Sequence, residues 1–487
     1  MVTALESFLA AGVMERLRMA RNPEMAAALQ AYFGQKAYDE YQELAAHLDI
    51  NHLAITHPVN LIFIPGVTGS LLQSKTKGGI WWIDMRTRQH IEDLRLAPDG
   101  KTDAAPNNAI IPCAVDTTYE PFLTAVLERG DFGHDVFPYD WRKPIAASTG
   151  ALRDLIVRTY EGNGNLPVHL VAHSMGGLVV RSTLKEHADL WSKIGKIVFV
   201  GTPHYGSQAI GGYLKNHFWG FDLMVLLGQY LSREAFRSMW GALSLLPAPN
   251  GVYPGTWPND PNPWSDAGSA YVHPCANFNL YDAKSWQLDL SVPETAELQA
   301  ILDGAAAMHA GLDQWQRGLP QELRERMLVI AGVGYQTLFR LEYDSRFFGL
   351  WEKMVKVTER RPGDRHREGD GRVPVASALL EYVEARYVRG VHGGLTNIPA
   401  VYEDVFHWLN DEKLRLPDSP QGALAQHLAP GEGESVAPGL DGTDKTLPFS
   451  DDPGVWDLAE PDPARLKLLQ DDLKADKLPE FQRLHWL

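Results

Sequence analysis

Short apolar runs recur along the chain, and several of them stop at glycine or at a small residue. Val59 to Ile64 is apolar except for Asn60 and ends at Pro65-Gly66; Val136-Phe137-Pro138-Tyr139 leads into Asp140-Trp141-Arg142. Val168 to Ala172 ends at His173-Ser174, and Ile197 to Val200 and Met327 to Ile330 each end near glycine. Runs of this kind, apolar on both faces and too short for helices, predict buried strands of a parallel sheet. A helix-like stretch from Leu178 to Glu186 follows one of them, as a strand–helix alternation requires. The fold class expected is therefore α/β, with a mostly parallel sheet covered on both faces.

Elsewhere the pattern changes. Asn22-Pro23 reads as a cap followed by a first-turn proline, and Leu29, Tyr32, Phe33, Tyr41 and Leu44 mark apolar stripes on one or two helices. Between Ser207 and about Glu325 the alternation breaks into aromatic, Pro-rich and helical pieces, which predicts a cap inserted over the sheet. From Leu414 to about Pro461, Pro, Gly, Asp and Ser dominate and predict an extended tail. Asp462-Pro463 then opens a helix expected to run through Leu478. The division expected is 1–55, an N-terminal helical segment; 56–206, the first part of the core; 207–325, the cap; 326–411, the second part of the core; and 412–487, the tail.

Composition narrows the class. A formal charge of -16 over 487 residues argues against nucleic acid and against electrostatic docking to anionic lipid. No stretch has the 18 or so continuous apolar residues of a membrane span. Glu6, Glu15 and Arg16 interrupt what would be a signal peptide, so the expected location is cytoplasmic, although export by another route would leave the same sequence. Cys113 and Cys275 permit at most one intramolecular disulfide, and His and Cys spacings match no zinc pattern; no metal or other cofactor is expected.

The chemistry centres on Ala172-His173-Ser174-Met175-Gly176-Gly177. A strand ends in a small residue, a serine follows two positions later, and two glycines open a helix. This is the sharp strand–turn–helix that thrusts a nucleophilic hydroxyl out at the top of a parallel sheet. The bland alternative is a buried turn whose serine caps the helix. A serine nucleophile needs a base, an acid to orient it, and donors for the oxyanion. Asp370, between two glycines in Gly369-Asp370-Gly371-Arg372, is the acid, with Asp364 and Asp344 as rivals. His392, delivered by a strand-like run to Gly393-Gly394, is the base chosen from 17 histidines. One oxyanion donor is expected from Met175, and the second from the loop Pro65-Gly66-Val67-Thr68-Gly69-Ser70. Phe218 and Trp219, with Leu223 to Leu227, suit either cap core or the lining of an acyl-chain channel that touches lipid. Trp81 and Trp82 carry the same two readings. The Tyr139-Asp140-Trp141-Arg142 piece reads as a brace for the sheet, and His204 as a structural histidine. Arg360-Arg361 and Arg365-His366-Arg367 read as a solvated loop, or as a reader of substrate phosphate or carboxylate.

In chain order, Asn60 to Ser70, Trp81-Trp82-Ile83-Asp84, Phe137 to Arg142, the Ser174 elbow, Val200-Gly201-Thr202-Pro203-His204, Gly369 to Pro374 and the His392 loop resemble the lecithin–cholesterol acyltransferase-like family of α/β-hydrolases, which includes lysosomal phospholipase/transacylases. The resemblance covers roughly Pro58 to Leu409. It implies an α/β-hydrolase fold, Ser174 as nucleophile, His392 as base, Asp370 as its orienter, and Val67 and Met175 as oxyanion donors. It also implies an acyl-lipid ester as substrate, a lid role for Trp81 and Trp82, and transient contact of lid or cap with a lipid surface. Ala172 stands where the family usually has glycine, and Cys113, alone in the lid region, leaves no lid disulfide. The same triad would serve hydrolysis, transfer to an acceptor alcohol, or cleavage of a small ester or lactone. A partner-controlled, non-catalytic module recruited by the terminal segments, and an exported lipase directed at foreign membranes, are the competing readings. Nothing in the sequence sets the oligomeric state.

Overall fold

The apolar runs become neighbouring strands in a computed structural model that describes residues 4–10, 19–33, 59–77, 80–82, 89–215, 232–254, 275–276, 278–335, 337–338, 340–344, 353–357 and 369–426, with residues 35, 38 and 42. Its strands are β1 (Val59–Ile64), β2 (Ser70–Ser74), β3 (Ile80–Trp82), β4 (Ile110–Val115), β5 (Gly133–Val136), β6 (Val168–His173), β7 (Ile194–Val200), β8 (Met327–Val333), β9 (Arg340–Asp344), β10 (Lys353–Val357) and β11 (Glu384–Arg389). Six of them form one parallel sheet in the order β11-β8-β7-β6-β1-β5. The chain leaves β1 for β5 on one side and returns to β6 on the other. The carboxyl ends of β1 and β6 therefore flank the switch point where open α/β sheets build their sites.

Alternation along each strand divides the core in two. Ile62, Ile64, Leu170, Ala172, Ile197 and Phe199 face one layer, with Leu152 and Ile156 of α4 (Ala146–Gly162) and Leu178 to Val180 of α5 (Met175–Glu186). Leu61, Phe63, Val171, Val198, Leu328 and Ile330 face the other, against α3 (Glu120–Arg129) and α7 (Pro399–Leu409). Each large side chain so buried stabilises the fold by about 1.5–3 kcal/mol. The N-terminal helices α1 (Ala4–Ala10) and α2 (Pro23–Phe33) send Leu5, Phe8, Met25 and Leu29 into this second layer. They pack as part of the same body.

A separate antiparallel sheet, β3-β2-β4, stands beside the end of β1, and β9 pairs with β10 as a hairpin. Within the stretch expected to be cap, α6 (Val292–Gly318) is a single 27-residue helix. It starts at a capping box of Ser291 and Glu294 and buries Leu298, Ile301, Leu302, Ala305 and Leu312 along one stripe. Among the described residues no helix is long and apolar enough to cross a membrane, and no group of three or more His, Cys, Asp or Glu is placed to hold a metal ion. The helix expected over 462–478 and most of the tail lie outside the described residues.

Candidate active site

β6 stops at His173 and α5 starts at Met175, leaving Ser174 alone in the turn at φ 51° and ψ −128°. That region costs a non-glycine residue about 1–3 kcal/mol, strain the surrounding core must hold in place. The turn is tight enough that a Cβ at Gly176 would sit 2.5 Å from the carbonyl oxygens of Ile64 and Pro65. Ala172, in contrast, lies inside β6 opposite Ile64 and Phe199, where its methyl group is accommodated in the core.

His392 and Asp370 reach Ser174 from the ends of β11 and β8. His392 Nε2 lies 2.9 Å from Ser174 Oγ, and His392 Nδ1 lies 2.7 Å from Asp370 Oδ2. Asp370 Oδ1 accepts from the backbone N–H groups of Arg372 at 3.0 Å and Val373 at 2.7 Å. An ionised carboxylate only accepts, so Nδ1 carries the imidazole proton and Nε2 is left to accept from the serine hydroxyl. The His392 N–H also donates to the Asp370 carbonyl at 2.9 Å, which ties the two loops together by backbone as well. Ser174, His392 and Asp370 are all at most 3% exposed. Gly332 makes room for this: a Cβ there would come within 2.6 Å of Asp370 Cβ. Of the rival acids, Asp344 ends the β9–β10 hairpin opposite Lys353, and Asp364 lies outside the described residues.

The loop after β1 lies against the elbow, since a Cβ on Gly66 would be 2.9 Å from Ser174 Cβ. Met175 is the first residue of α5, so its N–H has no intrahelical acceptor. Val67 is buried in the same loop, next to Thr68 at φ 62°. Aromatic donors hold this loop by its carbonyls. The Tyr139 hydroxyl donates to Pro65 at 3.0 Å, Trp82 Nε1 to Thr68 at 3.0 Å and Trp141 Nε1 to Ser70 at 3.2 Å. Trp82 meets Trp141 edge-on at 4.9 Å, and Trp81 stacks on His90 at 4.4 Å. Both β3 tryptophans are buried, and Trp82 braces the loop. Phe218 and Trp219, and the arginine run 360–367, lie outside the described residues.

Arg142 is fully buried between Asp140 and Asp103, with Nη2 at 2.7 Å from Asp140 and Nη1 at 3.0 Å from Asp103. It joins β5's exit to the 95–104 segment and does not approach Ser174 by any of these bonds. His204 packs edge-on against Phe199 at 4.9 Å, and burial holds its imidazole far below the ordinary range and hence neutral. Two site residues escaped the sequence reading. The Tyr119 hydroxyl is 2.9 Å from His173 Nδ1, and His173 Nε2 is 3.0 Å from the His392 carbonyl. His173 adjoins the serine and was within reach of a sequence argument; Tyr119 had no signal beyond being aromatic.

A family model described as lecithin:cholesterol acyltransferase matches residues 134–261, a span that holds Ser174 but neither Asp370 nor His392. Phospholipase A(1) LCAT3 of Arabidopsis thaliana is 25% identical over 319 residues, 60% of this chain and 67% of the plant protein. Uncharacterized protein YJR098C of Saccharomyces cerevisiae is 26% identical over 161 residues, 31% of this chain and 24% of the yeast protein. The chain thus spans about a quarter of the yeast relative's length. Among solved structures, the Tle4–Tli4 complex matches with a TM-score of 0.46 at 15% identity, covering 73% of this chain and 97% of that one. The mature Bacillus licheniformis lipase BlEst2 matches with a TM-score of 0.34 at 15% identity, covering 73% and 93%. With six parallel strands and an elbow at the end of β6, the chain has the architecture of an α/β-hydrolase, and over part of its length it is similar to the lecithin:cholesterol acyltransferase family.

Proposed function

We propose that the protein is a serine ester hydrolase or O-acyltransferase that works through an acyl-enzyme on Ser174, with an acyl lipid as the ester. The observation that carries this reading is the unbroken hydrogen-bond chain from Asp370 through His392 to Ser174. The lipid assignment leans on the family model and on the plant phospholipase relative. His392 takes the serine proton as the hydroxyl attacks the ester carbonyl, and Asp370 holds the imidazole in the tautomer that makes this possible. The tetrahedral oxyanion is received by the Val67 and Met175 N–H groups, at about 3 kcal/mol of transition-state stabilisation per donor. His392 then returns the proton to the leaving alcohol. Water completes hydrolysis, and an acceptor alcohol in the same place completes transfer.

The direct test is intact-protein mass spectrometry after exposure to a fluorophosphonate probe. Wild type should gain one adduct, Ser174→Ala none, and His392→Ala should label far more slowly. A folded wild type that gains no adduct, or a Ser174→Ala variant that labels like wild type, rejects the reading.

A further inference from the structure

The oxyanion loop and the base loop leave the sheet at β1 and β11, four strand positions apart, about 19 Å at ordinary strand spacing. A transition state tolerates misplacement of either by only a fraction of an ångström. Both loops turn back towards Ser174, and one buried chain of hydrogen bonds joins them behind the nucleophile. The Gly66 N–H donates to Tyr119 Oη at 3.0 Å. Tyr119 Oη lies 2.9 Å from His173 Nδ1, and His173 Nε2 lies 3.0 Å from the His392 carbonyl. Every proton in it has one place. The carbonyl of His392 only accepts, so His173 carries its proton on Nε2; Nδ1 is then a bare acceptor, and the single Tyr119 proton points to it. Burial pushes the His173 imidazole down to about 3, so its tautomer does not change where His392 is active. Contacts add to the bonds: a Cβ on Gly66 would come within 3.2 Å of His173 Nδ1 and 3.3 Å of Tyr119 Oη. The Asn397 amide, just past the base, donates to the Thr118 carbonyl beside Tyr119 at 2.9 Å.

We propose that Tyr119 and His173 are positioning residues, a buried strut that holds the oxyanion loop and the His392 loop in mutual register. The proposal rests on the acyl-transfer reading above. Neither residue touches the reacting atoms; each acts through a backbone group, Gly66 N–H at one end and the His392 carbonyl at the other.

The test uses the full chain, a soluble p-nitrophenyl ester and the fluorophosphonate probe. Tyr119→Phe should lower kcat by about 10- to 100-fold, with KM within about twofold, and should slow phosphonylation in parallel. The midpoint of the acid limb of the pH–rate profile should stay put, because the Asp370–His392 bond is intact. His173→Gln keeps an N–H for the His392 carbonyl and His173→Leu does not, so the glutamine variant should retain more activity. That pair decides the matter if Tyr119→Phe does not fold. Wild type labelled on Ser174 with Tyr119→Phe and His173→Leu equally fast overturns the strut alone. A shifted acid limb overturns it too, because the residues would then act on the base's proton affinity. An unlabelled wild type removes the acyl-transfer reading and the strut with it.

Discussion

Among the described residues, two buried Asp–His pairs are built to nearly the same plan. In the first, Asp370 accepts from His392 Nδ1 and from two backbone N–H groups. In the second, Asp404 lies 3.1 Å from His407 Nδ1 and accepts from the backbone N–H groups of Arg415 at 2.8 Å and Leu416 at 2.7 Å. The difference is in the second imidazole nitrogen. His392 Nε2 meets the Ser174 hydroxyl, whereas His407 Nε2 faces the half-exposed Glu412 carboxylate at 3.6 Å. The helical pair sits one turn apart on α7 and pins the segment after that helix back onto it. The loop pair joins residues 22 positions apart at the edge where the strands end. An aspartate–histidine pair is therefore no sign of catalysis by itself; on the proposed function, the group beyond the histidine makes the distinction.

The largest effect that separates the two pairs is removal of that third group. Ser174→Ala should lower kcat roughly a million-fold, as in a comparable triad, and abolish probe labelling without loosening the fold. Next comes a matched exchange. Asp370→Asn offers His392 an amide in place of a carboxylate, disfavours the useful tautomer, and should cost about 10⁴-fold in kcat. Asp404→Asn should leave kcat within about twofold and instead lower stability by about 1–3 kcal/mol, because a buried backbone N–H loses its acceptor. Steady-state kinetics beside urea unfolding of both variants checks this. If Asp404→Asn were the one that lost turnover, the assignment of roles would be reversed.

Gly332→Ala probes the loop pair more gently. The added methyl group would meet Asp370 Cβ at 2.6 Å and Leu395 Cδ2 at 2.9 Å, inside a strand that cannot easily shift. Overpacking of this kind costs about 1–3 kcal/mol, and part of the strain should displace Asp370 from His392. A fall in kcat of about tenfold or more is expected, and an unchanged kcat with unchanged stability would mean the loop gives way freely.

The sequence carries the loop pair's side of this comparison because local chemistry marks it. Ser174 follows a mostly apolar run, Val168 to Ala172, and comes one residue before two glycines; Asp370 lies between glycines, and His392 precedes two. The inner strands β6 and β8 are largely apolar because a parallel sheet buries both their faces, whereas the edge strand β11, which leads to His392, keeps Glu384, Arg386 and Arg389. What the sequence conceals depends on partners distant in the chain. Tyr119 meets Gly66 across 53 residues and His173 across 54, and nothing near Thr117-Thr118-Tyr119 announces either contact. Trp81 and Trp82 suit a lid or a wall equally well by residue type, and only the pairing of β3 with β2 puts them inside. Asp404 and His407 have ordinary helical spacing on α7, so the pair looks like any polar face until the 412–416 segment folds over it.

The smallest effect concerns a third kind of histidine, one with neither a carboxylate nor a nucleophile. His309 Nε2 lies 3.0 Å from the Ser244 carbonyl, and Nδ1 has no hydrogen-bond partner among the described residues. Burial, aided by the nearby Arg181 charge, pushes this imidazole down to about 4 from its ordinary 6.5. His134 and His169 are held at about 4 in the same way, chiefly by burial. The unfolded chain takes up protons on these rings near pH 6.5 and the folded chain does not until near pH 4. Their contribution is therefore complete above pH 6.5 and is lost as pH falls towards 4, by up to about 1.4 kcal/mol per pH unit for each ring. His309→Gln should remove one proton's share of that slope and leave the slope above pH 7 unchanged. Urea unfolding at half-unit steps from pH 4.5 to 8 measures it. A His309→Gln slope equal to wild type would show that the ring binds its proton equally well in the folded and unfolded chain, and would reject the burial effect.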